Sequence, residues 1–151
     1  MPSRRIEDLD PLLAYAFGKA EMEWRLTRPN GPIPFITCTI RTGAEQNQLF
    51  NQTRDGIDNN GNGKIDEPGE KVTNAKAYES PHNFQPALAF DVAFQNVDPN
   101  KTTNWDTRLF AAFAKLVLKT PGITWGGNFK SLLDMPHFER TEWRSLPKDP
   151  A

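Results

Sequence analysis

The sequence predicts an α+β domain, and three observations carry that reading. Residues 6–27 and 105–119 place apolar side chains at helical spacing. Short runs rich in β-branched and apolar residues stand before and after the second of these segments. Proline and glycine pairs punctuate the boundaries. In the first helix Ile6, Leu9, Leu12, Leu13, Ala16, Phe17, Ala20 and Trp24 form the stripe, and Pro29, Gly31, Pro32 and Pro34 end it. Phe35 to Ile40 reads as a strand that Arg41 closes. Gly43 to about Asn51 reads as a short helix carrying Gln46, Leu49 and Phe50.

Residues 54–72 are polar and glycine-rich with no core pattern, so they read as an inserted loop. Ala87 to Phe94 is a second strand, with Leu88, Phe90 and Val92 on one face and Ala89, Asp91 and Ala93 on the other. Asn104 or Thr103 is placed to cap the 105–119 helix, whose stripe is Leu109, Phe110, Phe113, Leu116 and Val117. Pro121-Gly122 closes it. Two short strands, Ile123 to Trp125 and Pro136 to Glu139, flank a Gly126-Gly127 turn. The proline-rich, charged tail after Trp143 is expected to be loose. No internal repeat is present.

At 151 residues the chain fits one domain with a sizeable core. A net charge of −1 provides no broad basic field, which argues against a nucleic-acid or anionic-membrane partner. Cys38 is the single cysteine, so no internal disulfide is possible and a reducing compartment of synthesis fits. No run approaches the roughly 20 apolar residues that span a bilayer. Acidic residues follow Arg4 and Arg5 where a secretory signal would place an apolar run. The expectation is a monomer made in the cytoplasm, with any extracytoplasmic substrate reached by another route.

Both histidines sit in short clusters of acid–base residues. One is Ser80-Pro81-His82 followed by Ala89-Phe90-Asp91; the other is Asp134-Met135-Pro136-His137-Phe138-Glu139. Catalytic zinc takes three protein ligands and keeps an open position for water. His82, Asp91 and His137 would fill those places. A carboxylate outside the ligand set is then needed to move the water's proton to the leaving amine, and Asp134 is the candidate. Taken singly, each histidine reads equally as a surface or satisfied core residue, and Arg41 as a salt-bridged surface arginine.

The clusters resemble the signature of the zinc D,D-carboxypeptidase and L-alanyl-D-glutamate peptidase family. Members cut peptidoglycan stem peptides, and many are phage endolysins. The first motif, Ser-x-His, a spacer, then Ala-x-Asp, corresponds to Ser80, His82, Ala89 and Asp91. The second, an acid, two intervening residues and then His, with a Trp-Gly-Gly lead, corresponds to Trp125-Gly126-Gly127 and Asp134 to His137. An arginine followed by a Gln-x-x-Leu-aromatic helix corresponds to Arg41, Gln46, Leu49 and Phe50. The resemblance covers residues 34–140 and implies a small single domain with a central antiparallel sheet flanked by helices. It implies His82, Asp91 and His137 as zinc ligands and Asp134 as catalytic base. Arg41 is implied to hold the substrate or its oxyanion, and Ser80 to make hydrogen bonds at the site. The spacer from His82 to Asp91 is two residues longer than the family's and lacks its glycine, as a longer turn before the strand would produce.

The inserted loop resembles an EF-hand loop, which takes oxygens at positions 1, 3, 5, 7 and 9, glycine at 6 and glutamate at 12. Counted from Asp58, the matches are Asp58, Asn60, Asn62, Gly63, the Lys64 carbonyl, Ile65 and Asp66. Position 12 is Gly69, with Glu70 one later and Glu67 as an alternative. Helices flanking such a loop are not evident, and a plain Asn/Gly turn is the competing reading. Calcium is expected in the loop at about 55–70, between Arg41 and Ser80. Trp125, Phe129 and Phe138 surround the second cluster and read as core, with Trp125 also placed to line a substrate cleft. Trp24, Trp105 and Trp143 read as packing residues. The functional expectation is a phage-endolysin-type zinc peptidase that binds stem peptides. The alternatives are a bacterial D,D-carboxypeptidase and a non-enzymatic, calcium-stabilised wall-binding or virion module.

Overall fold

A computed structural model describes residues 1–98 and 103–151. The first helix, α1, spans Pro11–Thr27, later than the periodicity predicts, with Ile6–Asp8 forming a separate 3-10 turn. The break has a local cause. Pro11 disfavours a helical conformation at Asp10, and Asp10 instead caps α1 by accepting the Leu12 and Leu13 N–H groups. Strand β1 is Pro34–Cys38. Helix α2 is Gly43–Phe50, opened by a reciprocal Thr42–Glu45 capping box that fixes where the chain turns just after Arg41.

The remaining elements are β2 (Phe84–Gln85), β3 (Ala89–Gln95), β4 (Thr103–Asn104), α3 (Thr107–Val117), β5 (Ile123–Trp125), β6 (His137–Arg140) and β7 (Asp149–Pro150). Asp106 caps α3 by accepting the Arg108 N–H. The expected caps, Thr103 and Asn104, are instead drawn into β4.

The main sheet is antiparallel in the order β1-β3-β6-β5, with β4 pairing the far end of β3. Strand alternation sends Phe90, Val92 and Phe94 of β3 and Phe138 of β6 to one face. There they meet Leu13, Ala16, Phe17, Ala20 and Trp24 of α1 and Phe110, Phe113, Ala114 and Val117 of α3. Edge-to-face ring contacts such as Phe17–Phe90 and Phe94–Phe110 fill this core. The opposite face therefore receives Asp91, His137 and Glu139. The α+β class and the helix-flanked antiparallel sheet match the sequence expectation.

Two expectations are corrected. Trp105 is 59% exposed and only stacks on Phe110, because the capping turn at Asp106 holds it outside the core. The tail after Trp143 is docked. Trp143 is 4% exposed in a second apolar cluster with Phe84 and Leu88, and β7 pairs with β2. Proline limits strand pairing only where its missing N–H is needed, and the two-residue β7 ladder with the Ala151 N–H to the Asn83 carbonyl avoids that need. No helix among the described residues is long and apolar enough to cross a membrane.

Candidate metal and catalytic site

His82 lies in the 3-10 turn Pro81–Asn83, capped by Ser80, whose Oγ accepts the His82 N–H. The turn is fixed from inside by Asn83. Its side chain donates to the Arg41 carbonyl at 2.9 Å and accepts the Tyr78 and Ser80 N–H groups. Asp91 is the third residue of β3, and His137, the first of β6, is its cross-strand partner. The sheet register thus brings together two side chains 46 positions apart. The longer spacer after His82 is taken up by β2 and the turn following it, so Asp91 still reaches the histidine.

Three ligand-type atoms converge on the open face of the sheet. His82 Nε2 is 3.2 Å from Asp91 Oδ1, His137 Nδ1 is 3.0 Å from the same oxygen, and the two nitrogens are 3.3 Å apart. The outer ring nitrogens settle the protonation. His82 Nδ1 donates to the Thr39 carbonyl at 2.7 Å, and His137 Nε2 donates to Glu139 Oε1 at 2.8 Å. In neutral rings the two inner nitrogens are then lone pairs aimed at each other and at a carboxylate. Three acceptors in mutual contact require a cation among them, either added protons or a metal. Tetrahedral zinc with bonds of about 2.0–2.1 Å separates its ligand atoms by about 3.3 Å, so the donor set fits zinc in chemistry and spacing.

The electrostatics agree. Burial works against a charged His82, but the Asp91 charge and hydrogen bond, aided by Cys38, outweigh it and raise the ring to about 10. His137 is likewise opposed by burial. Hydrogen bonds donated to Asp91 and Glu139 raise it to about 9. Burial pushes Asp91 up, yet its two histidine partners hold it well below the usual carboxylate range. Asp134 moves the other way, upward, through burial and the neighbouring Asp91 charge.

Asp134 stands one step outside the triad. Its Oδ2 is 4.0 Å from His137 Nδ1, and its side chain is 46% exposed to the cleft. The Trp-Gly-Gly lead has a packing reason here. A Cβ on Gly126 would lie 2.2 Å from the Asp134 carbonyl oxygen, and one on Gly127 would strike the Trp125 ring at 2.3 Å. The Asp134 N–H donates to the Gly126 carbonyl at 3.0 Å, and the Trp125 indole donates to the Met135 carbonyl at 2.7 Å. Trp125, read as core with the cleft as its alternative place, packs partly against the core, is absent from the cleft lining and pins the Asp134–His137 turn from behind. The aromatic residues that line the cleft are Phe129, Tyr78 and Trp143.

Arg41 faces the same space. Its Nη2 is 3.8 Å from Asp91 Oδ2 and its Nη1 donates to Gln46 Oε1 at 3.1 Å. Gln46 is fully buried and also donates to the Ala75 carbonyl, so α2 and the segment leaving the inserted loop together hold the guanidinium. The cleft has a volume of about 1040 Å³, and its lining includes Arg41, Ser80, His82, Asp91, Asp134 and His137. Cys38, Asn83 and Glu139 are site residues that the sequence reading did not assign. Cys38 forms a ligand-type triplet with His82 and Asp91, but its Sγ lies 3.6 Å from the outer nitrogen of His82, behind the ring.

The expected oxygens of the inserted loop are taken up by the loop's own donors, and among the described residues its carboxylates form no ligand-type cluster. Asp58 accepts the Gly61, Asn62 and Gly63 N–H groups. Glu67 accepts the Asn60 and Asn62 side-chain amides. Asp66 turns its carboxylate to the Gly56 N–H, and the Lys64 N–H goes to Asn62. Glu70 is 2% exposed. One of its oxygens accepts the Asn59 N–H, while Oε2 is buried with no hydrogen-bond partner.

Comparison with known proteins places this arrangement. Residues 73–140 match a family model described as D-alanyl-D-alanine carboxypeptidase. The fold is similar to that of the Serratia marcescens L-Ala D-Glu endopeptidase ChiX. The TM-score is 0.60 at 19% identity, over 93% of this chain and 89% of that one. It is also similar to a mutant of the vancomycin-resistance D,D-pentapeptidase VanY in complex with Zn(II). There the TM-score is 0.56 at 14% identity, over 90% of this chain and 74% of that one. Fold, matched segment and motif order bear out the resemblance to the zinc D,D-carboxypeptidase and L-alanyl-D-glutamate peptidase family.

Proposed function

We propose that this chain is a zinc-dependent peptidase that cleaves peptidoglycan stem peptides at an L-alanyl-D-glutamate or D-Ala-containing bond. The observation that carries the reading is the convergence of three acceptor atoms at 3.0–3.3 Å, with a carboxylate of raised pKa just outside them. His82, Asp91 and His137 would hold the ion. When bound, zinc would polarise the scissile carbonyl and lower the pKa of a water toward about 7. Asp134, close to the triad but not part of it, accepts the proton from the attacking water and delivers it to the leaving amine. Arg41, restrained by Gln46 and Asp91, presents its guanidinium to the carbonyl oxygen as negative charge develops there. An endolysin role in host lysis, with the wall reached through a separate membrane-permeabilising protein, is supported by the family resemblance.

The test uses purified sacculi and the variant Asp134→Asn. Zinc binding should persist while release of new peptide termini falls by about 10²–10⁴-fold. Mass spectrometry of the termini identifies the bond. A zinc-loaded wild type that releases no termini would overturn the enzymatic reading in favour of a wall-binding module.

We propose further that the loop at 55–70 binds calcium. The unpartnered buried oxygen of Glu70 supports this, because a desolvated carboxylate oxygen with no donor costs stability that a cation would restore. Calcium should raise the melting temperature of the wild type and not of Glu70→Ala. No calcium-dependent shift in the wild type would sink the idea.

A further inference from the structure

We infer that Glu139 is a positioning residue for the metal site, fixing both the tautomer and the tilt of the His137 ring. The inference rests on the zinc reading above. Its starting point is strand geometry. His137 and Glu139 are two residues apart on β6, so their side chains leave the same face of the sheet, while Phe138 between them is buried in the core. Glu139 Oε1 lies 2.8 Å from His137 Nε2, and both side chains are shielded, at 13% and 7% exposed.

An ionised carboxylate has no proton to give, so it accepts from Nε2 and directs the free lone pair of the neutral ring to Nδ1. Nδ1 is the atom that meets Asp91 Oδ1 at 3.0 Å and His82 Nε2 at 3.3 Å. Without this acceptor the neutral ring is free to carry its hydrogen on Nδ1, which turns the lone pair away from the site, or to rotate about its side-chain bonds. The Thr39 carbonyl does the same for His82, through the other ring nitrogen. The two histidines are thus fixed in opposite tautomers by two different acceptors, one backbone and one side chain.

The sheet makes room for this arrangement. Ala89 is the cross-strand partner of Glu139 and is fully buried, so the small residue of the Ala89-Phe90-Asp91 strand leaves the space that Glu139 occupies.

The experiment compares wild type, Glu139→Ala and Glu139→Gln. Zinc affinity is measured by competition with a chromophoric chelator, and the His137 tautomer by nitrogen-detected NMR of the zinc-loaded protein. Glu139→Ala should weaken zinc binding by about 10–100-fold and lose the pure Nε2–H signature. Glu139→Gln keeps an acceptor oxygen and should recover most of the affinity and the tautomer, which a merely structural defect would not. If Glu139→Ala stays folded and matches a zinc-binding wild type in affinity and tautomer, the inference is overturned while the metal reading stands. If the wild type itself holds no zinc, both are overturned.

Discussion

Gly126→Ala is the substitution whose consequence follows most directly from the packing around the Asp134–His137 turn. The added methyl would lie 2.2 Å from the Asp134 carbonyl oxygen and 3.0 Å from His137 Cβ, where ordinary contact begins at 3.4 Å. The backbone at Asp134 must retreat by about 1 Å, since a carbonyl cannot rotate aside as a flexible side chain can. That peptide is tied on both sides. Its N–H donates to the Gly126 carbonyl at 3.0 Å, and its carbonyl accepts the His137 N–H at 3.1 Å. The shift therefore moves the proposed base, Asp134, and a proposed zinc ligand, His137, together. Misplacement of about 1 Å costs about 10²-fold in turnover, and the overpacking costs about 1–3 kcal/mol. Turnover on a synthetic stem peptide, zinc affinity and thermal unfolding measure the three effects. Gly18→Ala is the control. It meets nothing within 4 Å in α1 and should stabilise by about 0.5–1 kcal/mol with activity intact. A folded Gly126→Ala protein with unchanged turnover and zinc affinity would refute the argument that this close approach positions the base.

Two further outcomes are expected. His82 and His137 are raised to about 10 and about 9, against about 6.5 when unfolded. Their contribution to the metal-free protein is full below about pH 6.5 and is lost as pH climbs through 9 to 10. Zinc must displace those protons near neutrality, so its binding should release protons and tighten with rising pH. Calorimetry in buffers of different ionisation enthalpy checks this, and uptake without proton release would contradict it. Gln46→Leu removes the buried amide that joins Arg41 to Ala75, leaving polar groups unpaired at about 1–3 kcal/mol each. Its melting temperature should drop and turnover fall, and an unchanged melting temperature would refute the coupling.

Much of the site was legible because its chemistry is local. Ser80-Pro81-His82 makes its own capped turn, and Thr42 with Glu45 ends the Arg41 segment. Asp134-Met135-Pro136-His137 sets a carboxylate three residues from a histidine. What escaped were residues whose importance lies in partners distant along the chain. Asn83 binds the Arg41 carbonyl 42 positions away, and Cys38 reaches His82 only because β1 pairs with β3 through a register shift beside Asp91. The docked tail was misread for the same reason. Trp143 is held by Phe84 and Leu88, and local composition carries no record of that contact.

The sequence by itself determined the main helices and strands, the metal-competent residue types and the alternation that separates an apolar face from a polar one. These follow from the chemistry of neighbours and from periods of 2 and 3.6 residues. The tertiary structure alone decided which strand met which, and so placed Asp91 opposite His137 and Glu139 opposite Ala89. It also decided which nitrogen of each histidine faces the cleft, because that depends on the acceptor behind the ring: Thr39 from β1's end for one, Glu139 from β6 for the other.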